Sequence, residues 1–258
     1  MAGMFYPSGS EDLKLMLSDL FKDFEQPCDA AGVVSPHAGY IYSGRVSAQA
    51  FSAFDPRFSG TFVVIGPSHQ GFTTCISAIP WETPIGLIEA DTDLAALIDL
   101  PVDERAMSYG NENSLEVQMP FIRYRFPGAR IVPVMMGRQT LSEVGRISGL
   151  IGEAISRYER PVKIVASSDF SHYVSQEKAS RDDIFAIDAL TSTLDVTEFF
   201  RRIQTHRITA CGYGPVGTMI SILKNKGATR CFLLGYSTSG DVSGDYNQVV
   251  GYAALAVK

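Results

Sequence analysis

Apolar positions along this chain follow two periods. Short unbroken runs such as Phe62-Val63-Val64-Ile65 and Ile164-Val165-Ala166 have the pattern of strands buried on both faces of a parallel sheet. Between such runs, apolar residues recur every three or four positions, the spacing of one helical face. The first helix is expected over residues 8–24, where Leu13, Met16, Leu17, Leu20, Phe21 and Phe24 share a side. Ser8 with Glu11 reads as its capping box, and Pro27 closes it.

The pattern continues with strands at 32–35, 62–65, 131–136 and 163–166, and a closing antiparallel pair at 231–236 and 249–257. Helices are expected at 43–54 and 91–100, after the polar loop 110–120 towards Phe126, behind a Thr140/Glu143 cap, and twice between 176 and 204. A last helix opens from the glycine-rich loop 209–217, with Pro215 at its first position. Residues 71–90 read as irregular strands and turns. Strands and helices alternate with no long linker, which predicts one α/β domain over 1–258 with a mostly parallel central sheet flanked by helices.

Three of the four histidines stand directly behind a strand: His37, His69 and His172. The C-terminal strand edge is where α/β proteins place ligands. If the strands of His37 and His69 are neighbours, their imidazoles meet in one pocket, and imidazole ligates zinc, copper and iron. The H-x31-H spacing itself matches no local metal motif. Cys211 is the best-placed third ligand, because a helix start lowers a thiol pKa and favours the ligating thiolate. Its alternative role is a small residue in a tight turn. Asp169 and His172, three apart, can pair as carboxylate and imidazole for acid/base work, or Asp169 can simply cap a turn. Glu116 has two readings: a capping partner of Asn113, or a pocket base or ligand. Tyr40, Tyr42 and Tyr213 could offer hydroxyls or merely pack, and His206 has no motif around it.

Composition narrows the classes. A hydrophobic content of 45% and a charged content of 19% are those of a globular chain, and a net charge of −6 argues against nucleic acid. The basic cluster Arg201, Arg202 and Arg207 reads as a solvated helix end. No apolar run reaches the roughly 20 residues that span a bilayer, so no membrane association is expected. Four scattered cysteines without a C-x-x-C pair point to a reduced, cytoplasmic protein. Serine nucleophile chemistry lacks its G-x-S-x-G elbow, a Cys-His pair of Cys211 with His69 or His172 is an alternative, and no P-loop is present.

Six ordered motifs then resemble one family. They are A-G-M-F-Y-P at 2–7, P-H-A-G-Y-x-Y-S-G at 36–44, G-P-S-H at 66–69, N-S-L-E-V-Q-M-P at 113–120, S-S-D-F-S-H at 167–172 and A-C-G-Y-G-P at 210–215, and the closing T-S-G-D-V-S-G-D stretch also fits. Together they resemble the Memo family, also called AmmeMemoRadiSam system protein B, whose fold is similar to that of class III extradiol dioxygenases. The resemblance implies metal ligation by His37, His69 and Cys211, with Asp169 and His172 in the same pocket. It implies iron or copper, with zinc as an alternative, and redox or oxygen chemistry on an unidentified small molecule. Asp169, His172 and Glu116 would be its acid/base groups. Two other readings stand beside it: a non-catalytic module binding a peptide, phosphopeptide or protein partner, and a zinc hydrolase. The sequence departs from the family where Asn113 takes a histidine position and Gln70 follows His69.

Overall fold

The fold was obtained as a computed structural model, which describes residues 1–24, 27–108 and 112–258. Gly110 and Asn111, which open the polar loop, lie outside the described residues. The chain begins with α1 (Ser10–Phe21), β1 (Gly32–Ser35), α2 (Tyr40–Ser52) and β2 (Thr61–Pro67). Three short strands follow, β3 (Cys75–Ile76), β4 (Trp81–Thr83) and β5 (Gly86–Ile88), then α3 (Thr92–Leu97) and α4 (Glu104–Met107). A 3-10 turn at Glu116–Gln118 leads into α5 (Met119–Arg125), β6 (Arg130–Met136), α6 (Leu141–Ser156) and β7 (Val162–Ser167). The last part holds β8 (His172–Val174), α7 (Gln176–Thr193), α8 (Val196–His206), α9 (Tyr213–Asn225), β9 (Cys231–Thr238), α10 (Gly240–Ser243) and β10 (Val249–Val257).

One eight-stranded sheet runs β3-β6-β2-β7-β1-β10-β8, with β9 also paired to β10. Its centre, β6-β2-β7-β1, is parallel, and antiparallel strands close both sides. Side chains alternate across the sheet with the strand period of two. Val34, Val63, Ile65, Val132, Val134 and Ile164 enter the core shared with α6, α7, α8 and α9. Val33, Phe62, Val64, Ile131 and Val165 enter the opposite core, with α1, α2 and α5. The second core is aromatic: Phe121 stacks on Phe51 at 5.4 Å and 8°, and Phe54, Phe62 and Phe126 close around them. Each fully buried ring contributes about 1.5–3 kcal/mol relative to exposure. The chain is a single α/β domain with helices on both faces of a mostly parallel central sheet.

Several local expectations are corrected. The Ser8/Glu11 capping box does not form: α1 begins at Ser10 behind Gly9, with no side-chain cap. Helix α2 begins at Tyr40, three residues before the expected start, directly behind the His37 loop. Pro215 is the third residue of α9 rather than the first, because the helix starts at Tyr213. The Thr140 cap is present, with its hydroxyl accepting the Glu143 N–H at 3.1 Å. Arg201 is exposed and paired with Glu198, in keeping with a solvated helix end, whereas Arg202 is largely covered and pairs with Glu198 and Asp188. Among the described residues no helix is long and apolar enough to cross a membrane.

Candidate metal centre

His37 follows β1, His69 follows β2, and Asp169 and His172 follow β7. The strands of His37 and His69 are not neighbours, because β7 lies between them. Their rings still meet across its end, with centroids 5.3 Å apart at 74°. Cys211 arrives from the loop before α9, and its sulfur lies 3.1 Å from His37 Nε2. Donor atoms of His37, His69 and Cys211 all lie within 4.8 Å of one another. A second group, Asp169, His172 and Cys211, meets the same limit and shares the thiol. The sequence therefore named five residues that the fold brings together.

Hydrogen bonds fix which ring nitrogen each histidine presents. Ser167 Oγ donates to Ser114 O at 2.5 Å and accepts Gln118 Nε2 at 2.9 Å. Its remaining lone pair must accept from His37 Nδ1, 2.8 Å away, which leaves His37 Nε2 unprotonated and facing Cys211. His69 Nδ1 donates to Glu112 Oε1 at 2.9 Å. His172 Nδ1 donates to the Thr209 carbonyl at 2.9 Å, since a carbonyl only accepts. All three imidazoles thus have Nδ1 committed, the outer contact that sets the tautomer of metal-ligating histidine.

Electrostatics differ at each group. Burial lowers His37 to about 4, so it is neutral at physiological pH. His69 is raised, chiefly by its bond to the Glu112 carboxylate. The expected low thiol pKa of Cys211 is corrected: burial first, and the Asp169 carboxylate second, push the thiol well up. Helix α9 starts too weakly to offset them, because desolvation of an anion exceeds what a helix end returns. A partly buried thiol 3.1 Å from the His37 Nε2 lone pair, with a His69 ring nitrogen within 4.8 Å, fits a cation, which deprotonates a coordinating thiol outright.

Glu116 is not brought to this cluster. Its carboxylate accepts from the Met1 ammonium at 2.8 Å and from Tyr6 OH at 2.7 Å, and it belongs to neither ligand group. The Asn113–Glu116 capping box is also corrected, because the 3-10 turn starts behind Leu115 without a side-chain cap. Asn113 instead donates to the His37 carbonyl at 2.9 Å. Glu112, which the sequence did not single out, accepts the backbone N–H of His69 at 2.6 Å as well as its ring. The only hint was a second carboxylate in the same polar loop. Cys75 and Cys231 are buried and all four cysteines are free. His206 packs on Phe185 at 4.6 Å, away from the cluster's contacts.

Two further contacts hold the Asp169 turn. Asp169 Oδ1 accepts the His37 N–H at 2.8 Å, and Asp169 N–H points to the Cys211 sulfur at 3.2 Å. Behind it, Asp183 of α7 accepts from Ser171 Oγ at 2.5 Å and Tyr236 OH at 2.8 Å. Gly251 lies so close that a Cβ there would sit 2.2 Å from Asp183 Oδ2. Burial raises the Asp183 carboxyl from 3.8 to about 6, against bonds from Ser171 and Tyr236 that favour the anion. Between those values the native state holds a proton that the unfolded chain has released. This group's contribution to stability is therefore fully present below pH 3.8 and falls as pH rises to about 6. The loss is on the order of 3 kcal/mol. Asp183→Asn is expected to lack it, so its urea midpoint relative to the parent should climb across that window. A constant difference between the two proteins would show that Asp183 ionises as easily folded as unfolded.

The family model described as Memo-like protein matches residues 1–256. The chain is 40% identical to a MEMO1 family protein of Methanosarcina barkeri, over all of this chain and 98% of that protein. It is 41% identical to a MEMO1 family protein of Methanococcoides burtonii, over all of this chain and 98% of the relative. Identity to a MEMO1 family protein of Methanopyrus kandleri is 34%, over all of this chain and 97% of that one. With the family model and these relatives matched along essentially the whole length, the chain belongs to the Memo family.

Proposed function

We propose that this protein is a cytoplasmic metal-dependent oxidoreductase that holds iron or copper through His37, His69 and Cys211 and acts on a small molecule. The observation that carries the reading is the donor set: two imidazoles with Nδ1 committed elsewhere and one thiol, with all donor atoms within 4.8 Å. Two imidazoles and a thiolate suit iron, copper and zinc, and of these iron and copper change oxidation state. Bound iron or copper would supply electron transfer and Lewis acidity. The chain supplies the rest. His172, its Nδ1 tied to Thr209, has Nε2 available to take a proton at the edge of the cluster. Asp169 is 5% exposed and is aligned by the His37 N–H, so its carboxylate stabilises positive charge developing on the neighbouring imidazoles. Glu112 keeps the His69 ring oriented.

The test is elemental analysis of protein purified without a histidine tag or added metal. About one equivalent of iron or copper is expected in the parent, and under about a tenth of that in His37→Ala. Equal metal in both proteins, or none in the parent, would overturn the reading. Zinc alone would move it to metal-assisted hydrolysis.

A further inference from the structure

Among the described residues, four other than glycine adopt positive φ: Asp29, Tyr173, Leu194 and Arg207. Leu194 and Arg207 close α7 and α8 as left-handed C-caps, and aspartate is one of the few side chains that tolerate this region. Tyr173 has neither reason. It lies in β8 with φ of 56°, and its residue surface is 73% exposed.

The register of β8 against β10 explains the conformation. Val249 and Val250 are adjacent, yet they face Val174 and His172, so Tyr173 is the extra residue of a β-bulge. A left-handed bulge residue is ordinarily glycine, which adopts it without a Cβ penalty. A tyrosine ring left in water recovers nothing from core packing to offset that strain. Bulges of this kind re-aim side chains next to active sites. Here the bulge separates His172, whose N–H is held by Thr209 Oγ1 at 2.6 Å, from a tyrosine ring centred 5.9 Å from the imidazole. Tyr42, in the first turn of α2, is also exposed, at 38%. Burial first, and the Asp169 carboxylate second, raise the Tyr252 phenol.

We propose that Tyr173 is a substrate-contacting residue whose exposed ring stacks on a planar, unsaturated group of the small molecule bound beside His172 and Asp169. The proposal rests on the reading of the cluster as a small-molecule site. A ring face discriminates flat π-systems from puckered saturated ones of similar size, by contact area and quadrupole.

The probes are 2-naphthol and decahydro-2-naphthol, which share a hydroxyl and a carbon skeleton and differ in flatness. Their binding is followed by NMR titration of the metal-free protein. The parent is expected to prefer 2-naphthol by about three- to tenfold. Tyr173→Phe and Tyr173→Trp should keep the preference. Tyr173→Gly and Tyr173→Asn, both at ease with positive φ, should lose it while melting no lower than the parent and up to about 3 °C higher. No preference in the parent, or the same preference in the asparagine variant, would overturn the proposal. So would a lower melting temperature in both the glycine and asparagine variants, which would show a ring kept for packing. Absence of metal from the purified protein bears on the metal reading alone, failure to bind either naphthol bears on the small-molecule site, and a preference unchanged in the asparagine variant bears on Tyr173.

Discussion

Cys211→Ser is expected to lower the affinity for iron, copper or zinc by more than ~100-fold, while leaving the metal-free fold intact. The lower bound follows from second-layer partners of metal ligands, whose loss already costs about 10–100-fold. Serine is nearly isosteric and can still donate to His37 Nε2 and accept the Asp169 N–H, as the sulfur does at 3.1 and 3.2 Å. It cannot become an anionic ligand at neutral pH, and its hard oxygen matches a soft or borderline cation poorly. Chelator competition measures the affinity, and thermal melting of the metal-free proteins checks the fold. A variant that holds metal as tightly as the parent would remove Cys211 from the ligand set. The raised thiol pKa adds a detail: metal uptake displaces a proton from Cys211, so uptake by the parent should release acid and uptake by the serine variant should not.

Gly212→Ala is expected to destabilise the fold by about 3 kcal/mol. A Cβ on Gly212 would stand 2.2 Å from the Ser167 carbonyl and 2.7 Å from Ser168 Cβ. Ser167 ends β7, which is paired on both sides by β1 and β2, so the obstructing backbone has little room to retreat. The melting temperature should fall by roughly 6–10 °C. Gly149→Ala is the control, since a Cβ there meets nothing within 4 Å inside α6 and should stabilise slightly. If Gly212→Ala melts with the parent, the close approach of this loop to the end of β7 is not a constraint on the fold.

The parts of the centre that the sequence announced are those with local signals. Unbroken apolar runs marked β1, β2 and β7, and the residues that end such runs, His37, His69, Asp169 and His172, followed directly. Cys211 was visible because glycines and a proline mark the start of α9. Strand order was not visible: nothing local says that β7 inserts between β1 and β2. Burial was hidden for the same reason, so the helix-end argument for a low Cys211 pKa weighed the smaller effect. In the polar loop two carboxylates stand four residues apart, and local capping logic drew attention to Glu116. The third dimension gives the His69 contact to Glu112 and commits Glu116 to the Met1 ammonium and Tyr6.

The stretch from Glu112 to Gln118 touches the supports of both candidate ligand histidines, through Glu112 to His69, Asn113 to the His37 carbonyl and Gln118 to Ser167. The thiol they await lies 174 positions after His37. Contacts of such sequence separation form late, because loop closure must precede any gain from them. During synthesis, a ribosome-bound chain has its first two histidine strands and their bracket long before Cys211 emerges. The centre cannot close until β7 has docked between those strands and the α9 loop has reached its end. A nascent or misassembled chain therefore presents scattered side chains instead of the assembled cluster. On the proposed reading, metal capture would follow completed folding, because the donors converge only then.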